Sequence, residues 1–224
     1  MNSIPNLSNS FSRDNPSPRY RELLALYQSL HHDGDPEMGH KPEQIFNGRS
    51  LRSQLGNIQM LTTQHQAKSL LDYGSGKGLP YQEKDIKHPS GKIYRDLTEF
   101  FEVDTITCYD PAYKPYSTFP AGQKFDGVIS TDVMEHCPEE DLPWIIDEMF
   151  GAASKFVFAN VNGRLADRHL PNGDNAHCTL QSIEWWNKLF ASVQTRHMGV
   201  PYFILYSSAE MGPDGRFVEY AIDG

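Results

Sequence analysis

Three alternate glycines, Gly74, Gly76 and Gly78, follow the short apolar run Ser69-Leu70-Leu71, and an acid, Asp72, stands two residues before the first of them. Glycine reaches backbone angles closed to other residues, and without a Cβ it lets a ligand lie against the main chain. A strand that turns sharply into such a notch suits a nucleoside. The plainer reading is a tight turn and nothing more.

The spacing narrows the chemistry. Dinucleotide sites use G-x-G-x-x-G, whose third glycine packs a helix beneath a pyrophosphate. Here the pattern is G-x-G-x-G, and Asp72 would repel a pyrophosphate. A carboxylate at that place suits a cofactor with an ammonium group and no phosphate, which describes S-adenosylmethionine. A P-loop is excluded, because Lys77 is followed by Gly78 where that motif needs Ser or Thr.

The segment Leu70-Leu71-Asp72-Tyr73-Gly74-Ser75-Gly76-Lys77-Gly78 resembles the first motif of class I S-adenosylmethionine-dependent methyltransferases. A second segment strengthens the likeness. Phe125-Asp126-Gly127-Val128-Ile129-Ser130, followed by Thr131-Asp132-Val133-Met134-Glu135-His136, resembles that family's fourth-strand motif. The resemblance covers roughly residues 45–207. It implies a doubly wound, mostly parallel Rossmann-like α/β sheet with an antiparallel C-terminal strand pair and N-terminal helices. It also implies methyl transfer, with Asp72, Gly74, Ser75, Gly76, Asp110, Thr131, Asp132 and Val133 at the cofactor. Ligands of such sheets bind outside the carboxyl ends of the strands, so both motifs face one crevice.

His136 and His177 are the candidate bases, since imidazole titrates nearest neutral pH. Orienting the cofactor loop is the competing role for His136, and anchoring its own loop for His177. Asp132 is a candidate for the cofactor or an acceptor amine. Asp110 ends a β-branched strand and is suited to both ribose hydroxyls, although it lies thirty-six residues after Gly74, against ~20 in a compact dinucleotide unit. His31, His32, Asp33, Asp35 and His40 cluster around a turn, but a solvated helix end explains them, and no metal site is expected.

Periodicity sets the secondary structure that carries these residues. Apolar spacing predicts helices over 20–32, 50–65, 93–101 and 142–150, and a further one from Leu180 capped by Thr179. Leu51, Leu55, Ile58, Met60 and Leu61 form the expected buried face of the second. Strands are expected at 69–73, 104–110, 125–130, 155–161, 192–197, 202–207 and 217–222. Pro80, Pro89 and Gly91 interrupt the stretch after the glycine turn, which implies an insertion or a bent segment over 79–93. Residues 111–124 carry only a weak strand signal. The polar loop at 162–178 is long enough to read as functional. Trp185 and Trp186 cannot share a helix face, so one is a candidate for the crevice.

Residues 1–18, rich in Ser, Asn and Pro, are expected to be a mobile tail before a single domain over 19–224. No apolar run approaches the ~20 residues of a membrane span, and the N-terminus lacks a signal-peptide layout, so a cytoplasmic location is expected. The formal net charge of −9 argues against a broad nucleic-acid footprint. A small molecule or a glycan or lipid precursor is the expected acceptor. Cys108, Cys137 and Cys178 suggest neither a disulfide framework nor a zinc half-site. Two other classes remain open: a different S-adenosylmethionine-using enzyme on the same scaffold, and a non-catalytic binding module.

Overall fold

The computed structural model describes residues 3–5, 11–36, 38–88 and 90–224. Its centre is a six-stranded sheet. In chain order the elements are α1 (Pro18–Asp33), α2 (Arg49–Ser53), α3 (Leu55–Gln64), β1 (Ser69–Tyr73), β2 (Ile86–Lys87), β3 (Ile93–Tyr94) and α4 (Leu97–Phe101). Then come β4 (Thr105–Tyr109), β5 (Phe125–Thr131), α5 (Leu142–Ala152), β6 (Ala153–Asn162), α6 (Ile183–Gln194), β7 (Tyr202–Met211) and β8 (Phe217–Asp223). The sheet order is β4-β1-β5-β6-β7-β8, parallel from β4 to β7, with β8 antiparallel at the edge. This is the Rossmann-like α/β architecture expected from the sequence.

Side-chain alternation explains the layering. Leu71, Val128, Val157 and Ala159 join Ile146, Trp186 and Phe190 of α5 and α6 on one face. Their neighbours Leu70, Ile129, Phe156 and Phe158 join Ile58, Leu61 and Phe101 of α3 and α4 on the other. Parallel strands buried on both faces read as near-continuous apolar runs, which is how these segments read. The strand tips therefore converge at one end of a dry sheet.

Several boundaries differ from expectation. Helix 50–65 is broken at Gln54 into α2 and α3, and Met60 is exposed rather than buried. Over 93–101 the helix keeps only its last turn, because Asp96 caps α4 through the Glu99 amide. Ile93 and Tyr94 instead pair with β2 in a small hairpin inside the 79–93 insertion, of which Pro89 lies outside the described residues. Ser182, not Thr179, caps α6, and the Thr179 hydroxyl donates to the Cys137 carbonyl. The strand expected at 192–197 is instead the last residues of α6 and the turn after them, since Leu189, Phe190 and Val193 keep helical spacing into the core. No strand forms among residues 111–124, leaving β4 at the edge. Trp185 and Trp186 are both buried, and Trp185 Nε1 donates to the Ser3 carbonyl rather than facing the strand tips.

The N-terminal segment is held where a mobile tail was expected. The Arg13 guanidinium forks onto Glu148, with Nε 2.8 Å from Oε1, and lies over the rings of Tyr109 and Phe119. Farther along, the Ser17 amide donates to Asp141 Oδ1 and its hydroxyl caps α1. Residues 1, 2 and 6–10 of the expected tail lie outside the described residues. Charge-assisted forked bonds with a cation over aromatic faces hold a segment that has no apolar periodicity. Arg13→Ala is expected to destabilise the fold by about 1.5–3 kcal/mol, read as a lower urea midpoint at unchanged slope. No helix among the described residues is long and apolar enough to cross a membrane.

Candidate functional site

The glycine turn leaves β1 as the sequence implied. Gly74, Gly76 and Gly78 all have positive φ, at 87°, 58° and 60°. The Gly74 and Ser75 amides donate to the Tyr109 carbonyl at the tip of β4, and the Gly76 amide donates to Asp110 Oδ2 at 2.8 Å. β1 and β4 are thus locked tip to tip. Ser130 adds β5 by donating its hydroxyl to the Tyr73 carbonyl.

Two acids sit behind this turn. Asp72 is 2% exposed; its Oδ2 accepts from the Tyr81 hydroxyl at 2.7 Å, and its Oδ1 has no partner. Burial pushes its pKa up to about 7, against the pull of the Tyr81 bond and with a smaller push from Asp110. Asp110 is also raised by burial, to about 6, despite accepting from the Ala112, Gly76 and Tyr113 amides. A carboxylate has roughly four lone-pair sites. Three amides leave Asp110 one, on Oδ2, for a ribose hydroxyl, where two had been expected. Neither acid pairs with a Lys or Arg among the described residues.

Protein atoms fill the space the glycines leave on their Cβ side. A Cβ on Gly74 would lie 2.4 Å from Val133 Cγ2, and one on Gly76 would lie 3.0 Å from Phe46 Cβ. Phe46 belongs to a cover that the sequence did not signal. The His31 ring lies between Phe46 and Tyr113, at centroid distances of 4.4 and 5.1 Å, with Nε2 3.8 Å from Asp110 Oδ1. A flat heteroaromatic ring is therefore already clamped between two aromatics above the second acid. Burial lowers the His31 pKa to about 4, so this ring is neutral.

The second group forms at the tip of β5. Asp132 takes a left-handed φ of 61°, a strained choice for a residue with a side chain. Its Oδ2 accepts from the Ser50 hydroxyl at 2.7 Å and its Oδ1 from Asn162 Nδ2. Burial raises its pKa, but His136, Ser50 and His177 outweigh that and hold it below the usual value. Thr131, the residue before it, is buried in register with Asn160 of β6. The His136 and His177 rings meet edge to face at 4.6 Å, and His177 Nε2 lies 3.9 Å from Asp132 Oδ1. Burial drives His136 down to about 4. Glu135 is fully buried; its Oε1 accepts from the Asn162 amide at 2.7 Å, and burial together with Asp132 raises its pKa well above normal. The two neighbouring acids are thus pushed in opposite directions, Asp132 down and Glu135 up.

Val133 links the two groups, because it follows Asp132 and packs on Gly74. The ten residues expected at a site thus all lie at or beside the tips of β1, β4 and β5. Tyr27, His31, Phe46, Tyr81 and Asn162 were not anticipated. No local pattern marks them, and all but Tyr81, nine residues from Asp72, reach their partners from a distant segment. His32 and Asp33 pair with each other at the surface, whereas His31 stacks inward, so the cluster at 31–40 does not converge. No protein-family model, curated protein or solved structure matches the chain.

Proposed function

We propose that the chain binds S-adenosylmethionine at the β1–β4 turn and transfers its methyl group to a small molecule or a glycan or lipid precursor. One observation carries this reading: two buried carboxyl groups, unpaired with any Lys or Arg among the described residues, lie behind a glycine turn, and Asp72 Oδ1 and Ser75 Oγ there have no partner. Such a site favours a ligand that is cationic, polar and free of phosphate. When bound, the sulfonium supplies an already activated methyl group. Asp72 and Ser75 would face its polar end, Asp110 a ribose hydroxyl, and the Phe46–Tyr113 slot a flat ring.

The chain's own task is positioning, which can supply on the order of 7–11 kcal/mol when an acceptor is held in line. His136 and His177 stand beside the turn with Nδ1 engaged, so Nε2 is the atom that can take an acceptor's proton.

A non-catalytic module is the second reading. Val133 and Phe46 packed on the glycines, and His31 already in the aromatic slot, favour it. Calorimetry with S-adenosylmethionine separates the two. Binding is expected with proton release near pH 7, because a cation beside Asp72 lowers its pKa, and affinity is expected to rise with pH. Asp110→Asn is expected to weaken binding by roughly 10-fold or more, the cost of a charged hydrogen bond. Absence of binding by both S-adenosylmethionine and S-adenosylhomocysteine would overturn the proposal, and a product other than the latter would point to different chemistry on the same scaffold.

A further inference from the structure

We infer that Asp132, His136 and His177 form a binding site for one divalent first-row transition-metal ion. Among the described residues this is the one group of three His, Cys, Asp or Glu side chains that converges. One ligand atom from each lies within 4.8 Å of the other two.

Three features make it a prepared site. First, both histidines present the same free nitrogen. His177 Nδ1 lies 2.6 Å from the Arg164 carbonyl, and His136 Nδ1 lies 2.9 Å from the Ala176 carbonyl and 2.7 Å from the Tyr27 hydroxyl. A carbonyl only accepts, so each Nδ1 carries the proton and each Nε2 keeps its lone pair. A backbone carbonyl on the far nitrogen is the usual way a metal-binding histidine is oriented. Second, Asp132 is braced from both sides by Ser50 and Asn162, at a φ that costs of order 1–3 kcal/mol. Third, the group comes from three separate places: the end of β5, the single helical turn after it, and the loop before α6. Backbone bonds fix that loop, since the Cys178 and Thr179 amides donate to the Glu135 carbonyl.

The donor set selects the ion. Two imidazoles and one carboxylate suit Mn, Fe, Co or Zn, whereas Mg and Ca prefer oxygen alone. Three protein ligands leave coordination positions open, as catalytic sites do and structural zinc sites do not. At metal–ligand distances of roughly 2.0–2.2 Å, neighbouring ligand atoms are about 3–3.5 Å apart. The 3.9 Å between His177 Nε2 and Asp132 Oδ1 therefore needs to close by less than about 1 Å. This departs from the expectation of no metal site, and it falls on residues with no recognisable ligand spacing in sequence.

The test needs no methyl donor, so its outcome is independent of the proposed methyl transfer, although an ion held by both Nε2 atoms would take them out of the role of base. Full-length protein is stripped with chelator, then titrated separately with Mn²⁺, Co²⁺ and Zn²⁺ and dialysed before metal analysis. Retention of one ion per chain is expected. His177→Ala, His136→Ala and Asp132→Asn are each expected to weaken it by at least about 10-fold. His32→Ala, at an exposed position, should leave it unchanged. Electron spin-echo spectroscopy of the Mn²⁺-loaded wild type is expected to show directly bound imidazole nitrogen, which keeps the test intact should a variant fail to fold. Wild type that retains none of the three ions, or bound Mn²⁺ without imidazole nitrogen, would overturn the site.

Discussion

Gly74→Ala is expected to destabilise the protein by about 2–5 kcal/mol, a large part of the ~5–15 kcal/mol that holds an ordinary domain together. Two costs combine. The residue must keep φ at 87° because its amide and that of Ser75 bond to the Tyr109 carbonyl, and its new methyl would meet both γ-carbons of Val133, at 2.4 and 2.7 Å. Gly173→Ala separates them. Gly173 also has φ 87°, but nothing lies within 4 Å of its Cβ position, so only the backbone term of about 1–2 kcal/mol remains. Urea denaturation of the two variants measures the difference. Equal midpoints would mean that the contact between Val133 and the turn has no role in stability.

Stability is expected to fall as pH rises from 7 to 8, through and above the folded value of Asp72. Asp72 and Asp110, raised to about 7 and about 6, and Glu135, raised well above normal, bind protons more tightly folded than unfolded. Their contribution is complete below the unfolded carboxyl pKa and is lost as pH rises through each folded value. His31 and His136, lowered to about 4, act the other way, adding stability as pH rises from there to the unfolded value near 6.5. The two sets oppose each other below about pH 7. Above it the histidine contribution levels off, while Asp72 still loses its proton. Urea midpoints across pH 5–8 test this, and Asp72→Asn, which can still accept from Tyr81, should flatten the fall. A midpoint that climbs from pH 7 to 8 would contradict the assignment.

The legible part of the sequence was local. β1, β4, β5 and β6 are short apolar runs bounded by polar residues, and α5 has a clean helical stripe from Leu142 to Phe150. The positive φ of the turn was readable because only glycine recurs there. The features that escaped depend on partners far along the chain. Arg13 finds Glu148, His31 finds Tyr113, and Asn162 finds Asp132, none marked by any pattern around it. The strand expected at 192–197 failed for a different reason. A short stretch holding a single core residue, Val193, has no period to read, and the helix before it continued. The convergence of Asp132, His136 and His177 was hidden likewise, since the two histidines are forty-one positions apart.

His177 lies on the long connection from Asn162 to Tyr202, which leads from β6 into the parallel strand beside it. Closing so wide a loop must precede the contacts that reward it, and parallel pairings of this kind form slowly. The imidazole pair therefore comes together only when that connection has closed.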